Sequence, residues 1–134
     1  MQINGDFLPE VEGRVIESGK NSLGTYIKYD NGVMICFNRV TLKDCNFQLY
    51  TGGASQALYI DQTYSGIYIW TYPASFVNTE QISVHVTPHG SGYMYGSLGL
   101  IFKDKVTTYF ATSYPWSGDV QLCLFTIGHW KVMN

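Results

Sequence analysis

Val15–Phe37 reads VIESGKNSLGTYIKYDNGVMICF, and this stretch decides the fold. Gly19 to Gly24 form a Gly/Asn/Ser-rich approach to Thr25–Tyr29, a short run of alternating large residues. Asp30-Asn31-Gly32 then reverses the chain, and Val33–Phe37 leads away from it. Asn-Gly between strand-like runs is a strong hairpin signal, and a two-residue hairpin turn needs positive φ at both central residues. Past the turn, Val33, Ile35 and Phe37 point one way and Met34, Cys36 and Asn38 the other. Large apolar groups on both faces predict a central strand covered on both sides. It continues to Phe47, either as one long strand or as two with a bend.

The remaining segments repeat this character. Residues 1–14 show no period and are expected to be an arm or a linker to an upstream shaft, leaving 15–134 as the folded unit. Leu49–Gly66 reads as a loop around Thr51-Gly52-Gly53-Ala54-Ser55, with Tyr50, Leu58, Tyr59 and Tyr64 packing on something. Ile67–Tyr72 is a strand ended by Pro73. In Gln81–Thr87, Ile82, Val84 and Val86 alternate with Ser83, His85 and Thr87, the pattern of a half-buried strand. Pro88–Gly92 is a turn. Tyr93–Phe102 and Val106–Ala111 flank a turn at Lys103-Asp104-Lys105, and Tyr114–Asp119 reads as an aromatic loop. Val120–Trp130 closes the chain as a strand, with Val120, Leu122, Leu124, Thr126 and Gly128 on one side. No segment sustains a helical period and no long repeat occurs. The fold class expected is all-β, a small antiparallel β-sandwich.

Composition agrees. In 134 residues, charged groups make up 13% and aromatics 16%, with 11 tyrosines, which favours strands and turns over helices. So few charges also suggest that some surface is hidden by oligomerisation. The net charge is −2 and no Lys/Arg run exceeds one residue, so no nucleic-acid partner is expected. No apolar stretch approaches the length of a spanning helix, and Met1–Gly5 lacks the regions of a signal peptide. Neither membrane insertion nor ordinary secretion is expected. The three cysteines, Cys36, Cys45 and Cys123, form no C-x-x-C and read as buried thiols made in a reducing cytosol.

Catalytic chemistry finds little footing. His85 and His89 share an H-x-x-x-H spacing, but on a strand they stand about 13 Å apart, so no metal and no cofactor is expected. There is no G-x-S-x-G elbow. Asp30, Asp61 and Asp119 sit in turn-like contexts where Asx hydrogen bonding accounts for them better than a paired-carboxylate hydrolase does. Gly52-Gly53 lacks the Lys-Ser/Thr of a phosphate loop. No catalytic residue is assigned.

The aromatic loops carry the remaining chemistry. Tyr93-Met94-Tyr95 follows a Gly/Ser turn, and Tyr114-Pro115-Trp116 precedes Gly118-Asp119. Flat rings stack on the C–H face of a sugar while Asp, His and Ser read its hydroxyls, and such residues gather on loops held by a rigid sheet. For any single ring, core or subunit-interface packing is the commoner role. The candidate carbohydrate-binding residues are Tyr114, Trp116 and Asp119, with His89 and Tyr93 across a subunit boundary.

The pattern ESG-x-N-x-x-G-x-Y-x-K in Val15–Phe37 resembles the opening of the C-terminal receptor-binding domain of bacteriophage tail-fibre proteins. Two further landmarks resemble the same family. One is Trp70-Thr71-Tyr72-Pro73-Ala74-Ser75-Phe76 before Ile82–Thr87, and the other is the ending Ile127-Gly128-His129-Trp130-Lys131. The three occur in the family's order and span nearly the whole chain. The resemblance implies an H-type-lectin-like β-sandwich assembled as a homotrimer at the tip of a phage, prophage or tailocin fibre. It would be synthesised in the host cytoplasm and carried on the virion. Its implied partners are upstream fibre or baseplate segments and a host cell-surface glycan, bound without catalysis. A purely structural trimerisation cap and a small glycan depolymerase are the alternatives. His129 stands where the family's ending usually has Arg, and Val33 where a polar residue is common. The loops Tyr50–Tyr64 and Tyr114–Asp119 match nothing in the family, so no sugar contact carries over.

Overall fold

The computed structural model describes residues 13–51 and 58–132, so most of the expected arm and the Gly52–Ser55 loop lie outside the described residues. Among the described residues the chain forms β1 (Val15–Asn21), β2 (Gly24–Tyr29), β3 (Val33–Leu49), β4 (Tyr59–Asp61) and β5 (Ile67–Thr71). These are followed by β6 (Ser83–His89), β7 (Met94–Ile101), β8 (Lys105–Thr112) and β9 (Trp116–His129), with no helix among them. Every pairing is antiparallel.

One layer runs β1-β2-β3-β9-β6. In the other, β8 carries β7 on one edge and β5 and β4 in succession on the other. The short β4 also pairs with the far end of β3, so a single sheet curls over into two facing layers. The expected antiparallel sandwich is thus present, closed at one side by a strand that reads as loop in the sequence.

Alternation decides what goes between the layers. From β3 and β9 come Met34, Cys36, Phe47, Val120, Leu122 and Leu124, and from β5 and β8 come Trp70, Val106 and Phe110, all essentially inaccessible. Burying each large aromatic contributes roughly 2–3 kcal/mol. Trp70, Tyr72 and Phe76 meet edge to face at 5.3 and 5.2 Å. The Trp70 indole N–H donates to Leu23 O at 2.9 Å, tying the second layer to the β1–β2 turn. Cys36 and Cys45 are buried thiols whose burial pushes their pKa up to about 12, as the sequence suggests. Cys123 is only half-buried.

Five local expectations change. Pro88 and His89, expected in a turn, continue β6 opposite Leu122 and Gln121. Gly19–Asn21 belongs to the strand β1, because the Tyr26 ring lies over Gly19 and supplies the packing that glycine lacks. The turn at Asp30–Gly32 has three residues, not two. Gly32 N donates to Tyr29 O at 3.0 Å and only Gly32 (φ 94°) is left-handed, a type I turn with a following bulge. Tyr114–Asp119 is mostly strand, since Trp116, Ser117 and Gly118 pair with Phe47, Asn46 and Cys45. Finally, β3 is central but covered on one face only. Phe37 is 40% exposed, and Ile27, Ile35, Phe125 and Ile127 share its outward side, over which no strand among the described residues packs.

The three acids expected in turns hold backbone. Asp30 accepts from the N–H groups of Gly13 and Arg14 and from the Arg14 guanidinium at 3.1 Å. Asp61 is fully buried, and its carboxylate accepts from the N–H groups of Asn46 (2.6 Å), Thr63 (3.1 Å) and Tyr64 (2.6 Å). This carboxylate fastens β4 to β3 where the sheet curls. Asp61→Asn puts an amide NH₂ where one N–H must be accepted, and costs about 1–3 kcal/mol in urea unfolding. Asp61→Ala leaves all three donors without an acceptor and costs more.

Candidate functional site

The antiparallel register gives the sandwich two distinct ends. At one, the described chain enters at Gly13 beside Asp30 and leaves past Trp130, whose N–H and indole N–H donate to Gly32 O (2.9 Å) and Tyr29 O (2.8 Å). Eight residues along β3, at the row Thr41–Gln121–His89, lies the other end. An extended strand of that length covers about 27 Å.

At this far end Thr41, Lys43, His89, Ser91, Asp119 and Gln121 line a shallow hollow of about 440 Å³. Its floor is shaped by a bulge in β3, where the register with β9 shifts between Leu42 and Cys45 and Asp44 takes φ 56°. Asp119 holds that bulge, its carboxylate accepting from Asp44 N at 2.9 Å and pairing with Lys43 Nζ at 3.3 Å. The Asp44 N–H first, and then Lys43, holds the Asp119 carboxyl below its usual range. Arg39 reaches the same rim through Gln121 at 3.3 Å.

Each residue singled out in the sequence has a place here, and one chain brings all five to this end. Tyr93 projects from the β6–β7 loop, 80% exposed. Its N–H donates to the Tyr114 hydroxyl at 3.1 Å, so Tyr114 pins the loop that carries Tyr93. Trp116 is half-buried, 5.8 Å from Phe47, with its ring closed over Gly90 and Gly118. Its indole face is therefore taken up by packing. His89 and Asp119 meet in the hollow. Within one chain, then, His89 and Tyr93 already stand at the same end as Tyr114, Trp116 and Asp119. Thr41, Lys43, Ser91 and Gln121 went unremarked in the sequence. The outward alternation of β3 and β9 marks Thr41 and Gln121 once the two strands are known to pair.

A nucleophile–base pair is not evident at the hollow, and no group of three His, Cys, Asp or Glu with metal-site geometry occurs among the described residues. What the arrangement offers is hydrogen bonding from two hydroxyls, an amide and an imidazole, with two cations at the rim and an exposed phenol on the adjoining loop.

No family model matches the chain, and no curated protein matches it in sequence. Among solved structures, the C-terminal part of the P. aeruginosa R1 pyocin fibre superposes with a TM-score of 0.54 at 13% identity over 85% of this chain. This chain spans 28% of that one. An N-truncated R1-type pyocin tail fibre gives the same TM-score and identity, with 87% of its chain covered. The chain thus shares its fold with a pyocin tail-fibre segment.

Two outcomes follow from the geometry. Trp116→Ala lowers the thermal midpoint, by the equivalent of about 2 kcal/mol or more, because it empties the space between Phe47 and Gly90. The depressed carboxyls of Glu17 (hydrogen-bonded first by Tyr26), Asp30 (by Arg14) and Asp119 have folded pKa values below their unfolded ones. The stability they add is complete above roughly pH 5 and is lost as the pH falls through the folded values. Melting curves of Asp119→Asn therefore show a shallower acid decline than wild type.

Proposed function

We propose that this domain is a receptor-binding module of a phage-like or tailocin tail fibre, carried on the particle, that binds a saccharide of a bacterial surface without catalysis. The fold it shares with pyocin tail-fibre structures supports the setting. The observation that carries the ligand reading is the far-end hollow, lined by hydroxyl, amide and imidazole groups, with the exposed Tyr93 on the loop that supplies Ser91. It lies at the opposite end from Gly13, where an upstream shaft or baseplate segment would join, so the hollow would face outward from the particle. Lys43 and Arg39 suit a saccharide with anionic substituents.

The assembly proposed is a homotrimer closed through the open face of the first layer. Ile27, Ile35 and Ile127 form one apolar row across that face and Phe37 and Phe125 another, rimmed by Lys20, Arg39, Thr87 and His85. An apolar centre with a polar rim is the anatomy of a subunit interface. The hollow opens at the end of the same face, so neighbouring copies would complete its wall. Three weak sites would then act together on one polymer.

The structural roles of Tyr114 and Trp116 favour one competing reading, a fibre cap with no ligand. Adsorption separates the two. The labelled domain is expected to bind cells of a susceptible host, with Tyr93→Ala reducing adsorption about tenfold while leaving the melting midpoint in place. Adsorption unchanged in Tyr93→Ala, or absent from wild type on every host strain tested, overturns the receptor reading. Sedimentation at micromolar concentration tests the assembly: wild type is expected at three times the chain mass, and Phe37→Asp at lower mass.

A further inference from the structure

The geometry points to a second saccharide site, on the outer face of the other layer, that takes an uncharged sugar unit through stacking on tyrosine. The far-end hollow does not involve this surface. It faces away from the row of Phe37, so closure of the first layer's open face would leave it accessible.

The site is a groove of about 430 Å³ crossing β4, β8 and β7. Tyr50, Tyr95 and Tyr109 form its walls, between 41% and 52% exposed, and Ile60 and Ala111 lie paired along its floor. Ser65 and Ser97 add hydroxyls at its sides, and among the described residues none that lines it is charged. That volume is in the range of small-molecule sites. Tyr109 is more than an exposed ring. Its phenol end lies down over β7 at Gly99, where an added Cβ would come within 2.9 Å of the ring. The phenol end of the ring therefore rests on glycine backbone while 41% of the residue stays exposed at the groove. A phenol held down at one end offers an apolar ring to the C–H groups of a sugar and a polar edge to its hydroxyls. The ring is fixed before binding, so little ordering is required of it.

The absence of charge selects the ligand. An acidic or phosphorylated sugar would enter without a counter-charge, whereas a neutral hexose needs only ring faces and hydroxyls. An acyl chain would use the same apolar floor but leave the tyrosine and serine hydroxyls without partners.

The inference rests on the saccharide-binding reading only for the class of ligand, and the test separates the two. The full chain is titrated with neutral hexaoses (maltohexaose, cellohexaose and chitohexaose), with polygalacturonate, and with decanoate, followed by saturation-transfer NMR and tyrosine fluorescence. Wild type is expected to bind at least one neutral hexaose, with an affinity on the order of millimolar. Tyr109→Ala and Tyr95→Ala are expected to weaken it about tenfold or more, Tyr109→Phe to retain most of it, and Gly99→Ala to weaken it by lifting the ring. Tyr93→Ala should leave it unchanged. Loss of hexaose binding in Tyr93→Ala alone overturns this site while supporting the far-end hollow. Binding of decanoate but no hexaose, no hexaose binding at all, or a fall in assembled mass in Tyr109→Ala each overturns it. Should Tyr109→Ala melt early, Tyr95→Ala, at an exposed position, carries the test.

Discussion

The structure depends on the pairing of β3 with β9, which runs from Val33↔His129 to Phe47↔Trp116. It joins segments at opposite ends of the described chain, so its closure is a long-range event that the intervening strands must accommodate. Because side chains alternate strictly, this one register assigns every residue of both strands to a face. A slip of a single position would bring Arg39 and Gln121 inward and leave Leu122 and Leu124 in water. The inward set is large enough to hold that register. The bulge at Lys43-Asp44 is its one interruption, and Asp119 of the partner strand is the residue that holds it.

That pairing also explains how the resemblance to tail-fibre domains is distributed. The three landmarks meet in space. Trp130 and Lys131 donate to the Tyr29–Gly32 turn, Phe76 closes against Gly128, and Val77 N donates to His129 O at 2.9 Å. They fasten the end where the described chain enters and leaves. A turn that needs Gly32, an indole that needs Tyr29 O and a glycine that admits Phe76 are demands of scaffold. The far end has its own scaffold contacts, Trp116 over Gly90 and Gly118, and they come from other strands, so the hairpin contributes no side chain to the hollow.

What was legible in the sequence follows the same division. Alternation in Val33–Phe37, Gln81–Thr87 and Val120–Gly128 is local, and from it the strands and the two sides of each could be read, but not that one side of Val33–Phe37 stays open, because both its sides carry large apolar groups. Strand character at Gly19 was hidden because its packing comes from Tyr26 on the neighbouring strand. Trp116–Asp119 looked like a loop because Pro115, Gly118 and Asp119 are turn residues. Here Gly118 instead sits opposite the bulge, and Asp119 caps it. β4 was hidden because its stability comes from the buried Asp61 carboxylate and from two partner strands rather than from its own three residues. Within the candidate site, His89, Asp119 and Tyr93 could be named, but Thr41 and Gln121 become neighbours only through the β3–β9 register.

The aromatic residues divide along the same physical line. Trp70, Tyr72, Phe76, Phe47 and Phe110 are packed by other rings, and their loss would be felt in stability. Tyr26, Trp116 and Tyr109 each rest against a glycine, a contact that holds the ring down on backbone. What such a ring can do then depends on what covers the rest of it. Phe47 packs against Trp116, so Trp116 belongs to the core. The Tyr26 hydroxyl donates to Glu17 at 2.7 Å, and Lys28 sits 5.7 Å from its ring, so Tyr26 belongs to the hairpin. Tyr109 stays 41% exposed at the groove. In a chain so rich in tyrosine, the glycine against a ring shows that it is held, and what covers the remainder decides whether it is structural or available for contact.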